Sequence, residues 1–339
     1  MGELKQLKLE FHNPGECSRT MAVFARTHQF ELVDRMFIED LEPLGQKDKL
    51  WAQVCEIAAQ YVDLTDDPAM KCLGVAMMIN ATRRTIKPVA STELDQFFAT
   101  AEMLRKDVSD ESTNDRLNEL LSYHGGIWFS RIGEYHRAAD YQHRTALISE
   151  KRGKPNLAAI SRLREMWEHL NEALVTTLGI QIAVEEVTKA AKVVTDVCTG
   201  NDPTDRAFRL FSAPVHVLLA HIWTKTPRYV ASADSWFLRF AELDPDYYEP
   251  RKWLFEVIRA GLVALTSGHY DEAVEAASNL LMQDPKDAQT RMTANLVLAY
   301  AREDLCDFVA ADVRLFELTK EGHEMHQLRA LAQRLIDQR

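Results

Sequence analysis

A histidine ahead of two glycines, Tyr123-His124-Gly125-Gly126, is the kind of segment that turns backbone amides toward an oxyanion. The nucleophile it would serve is missing: no Gly-x-Ser-x-Gly elbow occurs in the chain, and close helix packing already explains the glycines. His136 and His143 stand two helical turns apart, about 10 Å along the axis, too far to share a metal ion without a bend. His323 and His326 have the i, i+3 spacing of a ligand pair, yet no further ligand stands near them in sequence, and a solvated helix start accounts for them better. The five cysteines, Cys17, Cys55, Cys72, Cys198 and Cys306, are widely separated and form no Cys-x-x-Cys pair, which reads as reduced, buried thiols and not as a zinc site. Thiol catalysis would need a histidine and a third orienting group assembled by folding. There is no phosphate-binding loop, dinucleotide-binding glycine pattern or His-Glu-x-x-His. These residues predict no catalytic site, no metal and no cofactor.

Composition narrows the partners. A formal charge of -11 and a pI near 5.5 disfavour phosphate backbones and anionic lipid, so no nucleic acid is expected. The basic clusters Arg83-Arg84-Thr-Ile-Lys87 and Lys151-Arg152-Gly-Lys154 fall at helix ends, where they complement the helix dipole; RNA binding would require them to join into one stripe. The opening MGELKQLKLEF lacks a signal-type apolar core, Met1-Gly2 has Gln6 where a myristoylation signal wants Ser or Thr, and no apolar run is long enough to span a bilayer. A soluble, cytoplasmic protein with no membrane insertion is the expectation.

The elements follow from period and breakers. An apolar fraction of 46% with only 13 Gly and 11 Pro favours long helices over a turn-rich β fold. Helices are predicted at about 18–40, 48–63, 67–85, 91–107, 113–131, 134–152, 156–178, 180–198, 204–225, 228–243, 248–267, 270–283, 286–302, 304–320 and 322–337. Asp66-Asp67-Pro68 and Ser91-Thr92-Glu93 read as helix starts, and Gly153, Gly179 and Gly200 as helix ends. Leu7–Phe11 alternates apolar and polar residues, as a short strand or a loose leader would.

A repeat organises the C-terminal half. Val230, Ala233, Phe237, Phe240, Asp244 and Pro245 recur 40 positions later as Tyr270, Ala273, Ala277, Leu280, Asp284 and Pro285. Phe308, Ala311, Leu315 and Leu318 repeat the apolar pattern without the Asp-Pro. Such spacing puts a small Ala beside a larger side chain on one helical face, so a neighbouring helix can approach closely, and Asp-Pro then stops the helix. Each unit becomes a hairpin that must stack on the next to bury its apolar face.

Gly268-His-Tyr270-Asp-Glu-Ala273, followed by Leu280 and Pro285 and preceded by Gly261, resembles the tetratricopeptide repeat. An upstream copy, Gly126, then Gly133-Glu-Tyr135-His-Arg-Ala138, then Ala146-Leu-Ile to Gly153, is similar to the longer repeat of kinesin light chains and bacterial peptide-sensing regulators. The resemblance covers about 119–153 and 214–320; 156–213 departs from it, and it is poor before 110. It implies an all-α solenoid of stacked antiparallel hairpins in a right-handed superhelix: a leader over 1–17, a divergent helical region over 18–110, longer hairpins over 111–200, and repeats with a capping helix over 201–339.

In that family the first helix of each hairpin lines the concave face, which implicates Tyr123, Ile127 and Arg131, then Phe255, Ile258 and Leu262, then Met292, Leu296 and Tyr300. The last six are mostly apolar, which suits an apolar helix laid into a groove better than a polar peptide held by charge clamps; equally, apolar stripes at helical spacing form core more often than interface. The function expected is noncatalytic: an adaptor, scaffold or assembly subunit holding a partner protein segment. A peptide-responsive regulator is the alternative, a helical enzyme built from distant His and Cys comes third, and a homo-oligomer stays open. Leu262→Asp and Leu296→Asp separate groove from core: an open groove predicts lost partner binding at an unchanged melting temperature, whereas core positions predict ~3 kcal/mol or more of lost stability in denaturant unfolding.

Overall fold

The computed structural model describes residues 30–43, 50–85, 92–176, 178–198, 267–283 and 288–304, with isolated positions beside them. The fold is all-α, and no strand occurs among the described residues. The alternating segment 7–11 and the expected helices 228–243 and 322–337 lie outside the described residues, as do Ala233, Phe237, Pro245, Pro285, Phe308 and Ala311. The chain forms two compact units, Met1–Trp128 and Phe129–Arg339.

In the first unit, α1 (Phe30–Met36) runs into a π-helical turn, Phe37–Leu41, where the sequence predicts an unbroken helix. It is followed by α2 (Trp51–Leu64), α3 (Pro68–Thr85), α4 (Thr92–Lys106) and α5 (Glu111–Arg131). The α2 face buries Trp51, Val54, Ile57, Ala58 and Tyr61 at helical spacing, and α2 and α4 both pack on α3. Helix α3 is accordingly buried almost all round, from Met70 to Arg83. The cap expected at Asp66-Asp67-Pro68 forms on Asp67, whose Oδ1 accepts from the amides of Ala69 (2.8 Å) and Met70 (3.1 Å). Asp110 does the same for α5 by accepting from the Thr113 amide at 2.8 Å, which starts that helix two residues earlier than its periodicity suggests.

In the second unit, α6 (Tyr135–Lys151), α7 (Pro155–Thr176) and α8 (Ile180–Val197) pack as successive neighbours, and α9 (Tyr270–Met282) packs on α10 (Ala288–Asp304). One core runs from α7 and α8 through Ala213 and Val217 to α9 and α10. Three junctions share one backbone closure. At Gly133, Gly153 and Gly268, with φ of 82°, 66° and 77°, the following amide donates five residues back and the glycine amide three residues back. Glu134 thus reaches the Phe129 carbonyl at 2.9 Å, Lys154 that of Ser149 at 2.8 Å, and His269 that of Ala264 at 2.8 Å. The next helix begins two residues after each glycine, at Tyr135, Pro155 or Tyr270.

Close approach in the first unit rests on Gly74, where an added Cβ would fall 2.5 Å from Val62 Cγ2 and 3.0 Å from Tyr61 Cδ1. Gly74→Ala, despite its better helix propensity, is expected to destabilise the fold by about 1–3 kcal/mol, measured by denaturant unfolding.

Candidate functional site

A concavity with a mostly apolar lining lies in the first unit, a cavity of about 190 Å³. The π turn supplies Phe37 and Ile38, α3 supplies Leu73, Ala76 and Met77, and α5 supplies Leu120 and Tyr123. Phe37 is held edge-on against Tyr61, with centroids 5.9 Å apart, while Ile38 stays 43% exposed. The polar members are Asp34, Glu42, Asn80, Arg116 and His124.

These polar groups are tied to each other by charge. Arg116 makes a fork to Asp34 (Nε to Oδ2 2.8 Å, Nη2 to Oδ1 3.2 Å) and a third bond to Glu119 at 3.1 Å. Asn80 Oδ1 accepts from Arg83 Nη2 at 2.8 Å and Arg84 Nε at 3.3 Å, and Arg84 lies 4.6 Å over the Trp51 ring and 4.0 Å from Glu42. Arg83, 3% exposed, is therefore spent inside the fold and does not build a surface for RNA. His124 is also buried, and its Nδ1 meets no protein hydrogen-bond partner. Burial first, then Arg83, Arg84 and Arg116, hold its pKa well below the usual imidazole value, so the ring is neutral.

Of the side chains assigned to an inner face, Tyr123 lines this cavity, Ile127 is half-buried on α5, and Arg131 is half-buried at its end. Tyr300, 3% exposed, belongs to the core of the second unit. Met292 and Leu296 fall on α10, but their side chains, like Phe255, Ile258 and Leu262, lie outside the described residues. Among the repeat-marking residues, Tyr135, Ala138 and Ala273 are buried, Tyr270 packs on the core, Gly126 is buried in α5, and a Cβ added at Gly261 would come into van der Waals contact with Val297 and Ala276.

Two of the described thiols, Cys72 and Cys198, are held in the protonated form. Burial pushes Cys72 up to about 12, and its Sγ donates to the Ala101 carbonyl; burial likewise takes Cys198 to about 11. His136 pairs loosely with Asp140 on α6, while His143 sits 2.9 Å from Glu165 and 2.6 Å from Arg162 Nη1. The same Nδ1 thus faces both a guanidinium donor and a carboxylate acceptor, and its role follows the tautomer. Among the described residues, no group of three His, Cys, Asp or Glu side chains is placed to hold a metal, and no helix is long and apolar enough to cross a membrane. No protein-family model matches the chain, and no curated protein matches it.

Glu168 on α7 belongs to no sequence motif, because what distinguishes it is its tertiary environment. Its carboxylate accepts from Asn171 at 3.0 Å and from the Ser130 hydroxyl, but burial outweighs both and raises its pKa from 4.5 to about 7. Below pH 4.5 the carboxyl is protonated whether folded or not. As pH rises from there to 7, the unfolded chain loses the proton first, so stability declines across that window and stays level above it. Glu168→Gln is expected to flatten this decline and to raise stability at pH 8 by about 1–3 kcal/mol, read from unfolding curves at a series of pH values.

Proposed function

We propose that this chain is a tetratricopeptide-like helical solenoid that acts without catalysis, holding a segment of a partner protein on its helical surface. The observation that carries this reading is the recurrence of one hairpin junction. Gly133-Glu-Tyr135 and Gly268-His-Tyr270, far apart in sequence, close the preceding helix with the same pair of hydrogen bonds. In both, the tyrosine hydroxyl comes over the glycine, 3.9 and 4.0 Å from where a Cβ would stand, and an alanine five residues after the glycine is fully buried. Gly153 repeats the backbone closure with Pro155 in place of tyrosine. A repeated hairpin unit is what a stacked array requires, and such arrays offer extended surfaces for protein segments.

Two further features support binding over chemistry. Burial holds two thiols protonated, which removes them as nucleophiles. Val175, Leu178 and Ile182, around the turn from α7 to α8, are 52%, 74% and 69% exposed, an apolar group on which a partner can gain by excluding water.

The test is affinity capture with the tagged full chain from its native cell, quantified by mass spectrometry, beside the Leu178→Ser/Ile182→Ser variant. A partner recovered in stoichiometric amount, and reduced about tenfold by the variant at an unchanged melting temperature, is expected; about 1.4 kcal/mol of lost apolar contact suffices for that factor. Turnover of a small molecule by the purified chain alone would overturn the noncatalytic reading.

A further inference from the structure

The cavity between the π turn, α3 and α5 sets apolar side chains beside a few polar groups. Most of its wall is apolar, with Phe37, Leu73, Met77 and Leu120 among its residues. It is a half-open concavity of about 190 Å³ in which Ile38 stays partly exposed, so a small molecule can reach it from solvent. A cavity of about 150 Å³ lined by apolar side chains takes up benzene, which sets the scale at one ring with one small substituent. The wall also contains a turn of π-helix, a distortion that collects at functional sites because it displaces side chains from the ordinary helical register.

We propose that this cavity binds a small neutral molecule made of one apolar ring and one amide or carbonyl group, with the His124 imidazole and the Asn80 amide as its polar anchors. His124 is 6% exposed, lines the cavity and has an Nδ1 with no protein partner, so a buried hydrogen-bonding group stands ready for a ligand. A neutral imidazole offers one N–H and one lone pair. Asn80 uses Oδ1 on both arginines, which leaves its NH₂ as the group available to an acceptor. An amide, with one strong acceptor and its own N–H, matches this set.

The charges around the cavity select neutrality. Arg116 directs its donors to Asp34 and Glu119, and Arg84 faces Asn80 and Glu42. An anion entering here would gain no uncommitted guanidinium fork, and a cation would find Asp34 already forked to Arg116 and Glu42 already facing Arg84. This site does not depend on the partner-binding reading, and either stands if the other fails.

Benzamide, benzoate and benzamidine share one ring and differ in charge, which makes them direct probes. The full chain, labelled with ¹³C at its methionine methyls, reports occupancy through Met77, assigned by Met77→Leu. A saturable shift of the Met77 signal is expected with benzamide, at an affinity about tenfold or more above that of benzoate or benzamidine. His124→Phe, checked for folding by its melting temperature, is expected to lose that shift about tenfold in affinity; His124→Gln serves if the phenylalanine disrupts the helix. A Met77 signal that benzamide leaves in place, meaning a cavity filled only by water, overturns the proposal. So does equal response to all three probes, or binding unchanged in a folded His124 variant.

Discussion

A helix ends with carbonyls that have no amide to receive, and a chain of successive helices meets that problem at every turn. Here the second unit meets it in one way three times. A glycine in the left-handed region folds two amides back onto the last turn, so the carbonyls of Phe129, Ser149 and Ala264 are satisfied and the chain is released two residues later into a new helix. Without that closure the helices would need longer connections, each carrying polar backbone that must find water or another partner. The buried alanines Ala138 and Ala273 follow within the first turn of the next helix, and their small size lets neighbouring helices come together. The junction thus sets both the direction of the next helix and the room in which it packs.

The first unit relies on a different constraint. Helix α3 is buried on nearly every side yet contains Asn80, Thr82 and Arg83, so its polar groups have to be answered from within. Asn80 receives two arginines, Cys55 lies 3.5 Å from Thr82, and Arg116 reaches 82 residues back to Asp34. Such bonds are directional, and each holds a side chain at one position where apolar contact alone would allow sliding. The π turn and the cavity occur beside this network. Side chains fixed by hydrogen bonds hold the wall of that concavity in one arrangement.

The elements were largely legible because helix starts and stops are local. Asp67, Gly133, Gly153 and Gly268 act through bonds to residues within five positions of themselves, so composition and spacing suffice to find them. The π turn at Phe37–Leu41 was not legible, since one extra residue in a turn leaves the apolar period almost unchanged. Of the nine inner-face positions, Tyr123 lines a cavity and Tyr300 sits in a core, although both are tyrosines assigned to the inner face by the same helical spacing. Periodicity reports which face of a helix avoids water, and not what covers that face.

The sequence by itself determined the all-α class, the places where most helices begin and end among the described residues, and the repeated glycine-tyrosine junction, because each depends on backbone bonding between near neighbours. Only the tertiary structure decided the state of the histidine and carboxylate that stand out here. His124 reads in sequence as part of a possible glycine loop, and Glu168 as one acid among many on a helix. Their protonation follows from burial, and from charges and hydrogen-bond donors brought close by folding, among them Arg83 and Arg116 at His124 and the Ser130 hydroxyl at Glu168. Desolvation is a property of the space around a group, and that space exists only once the helices have packed.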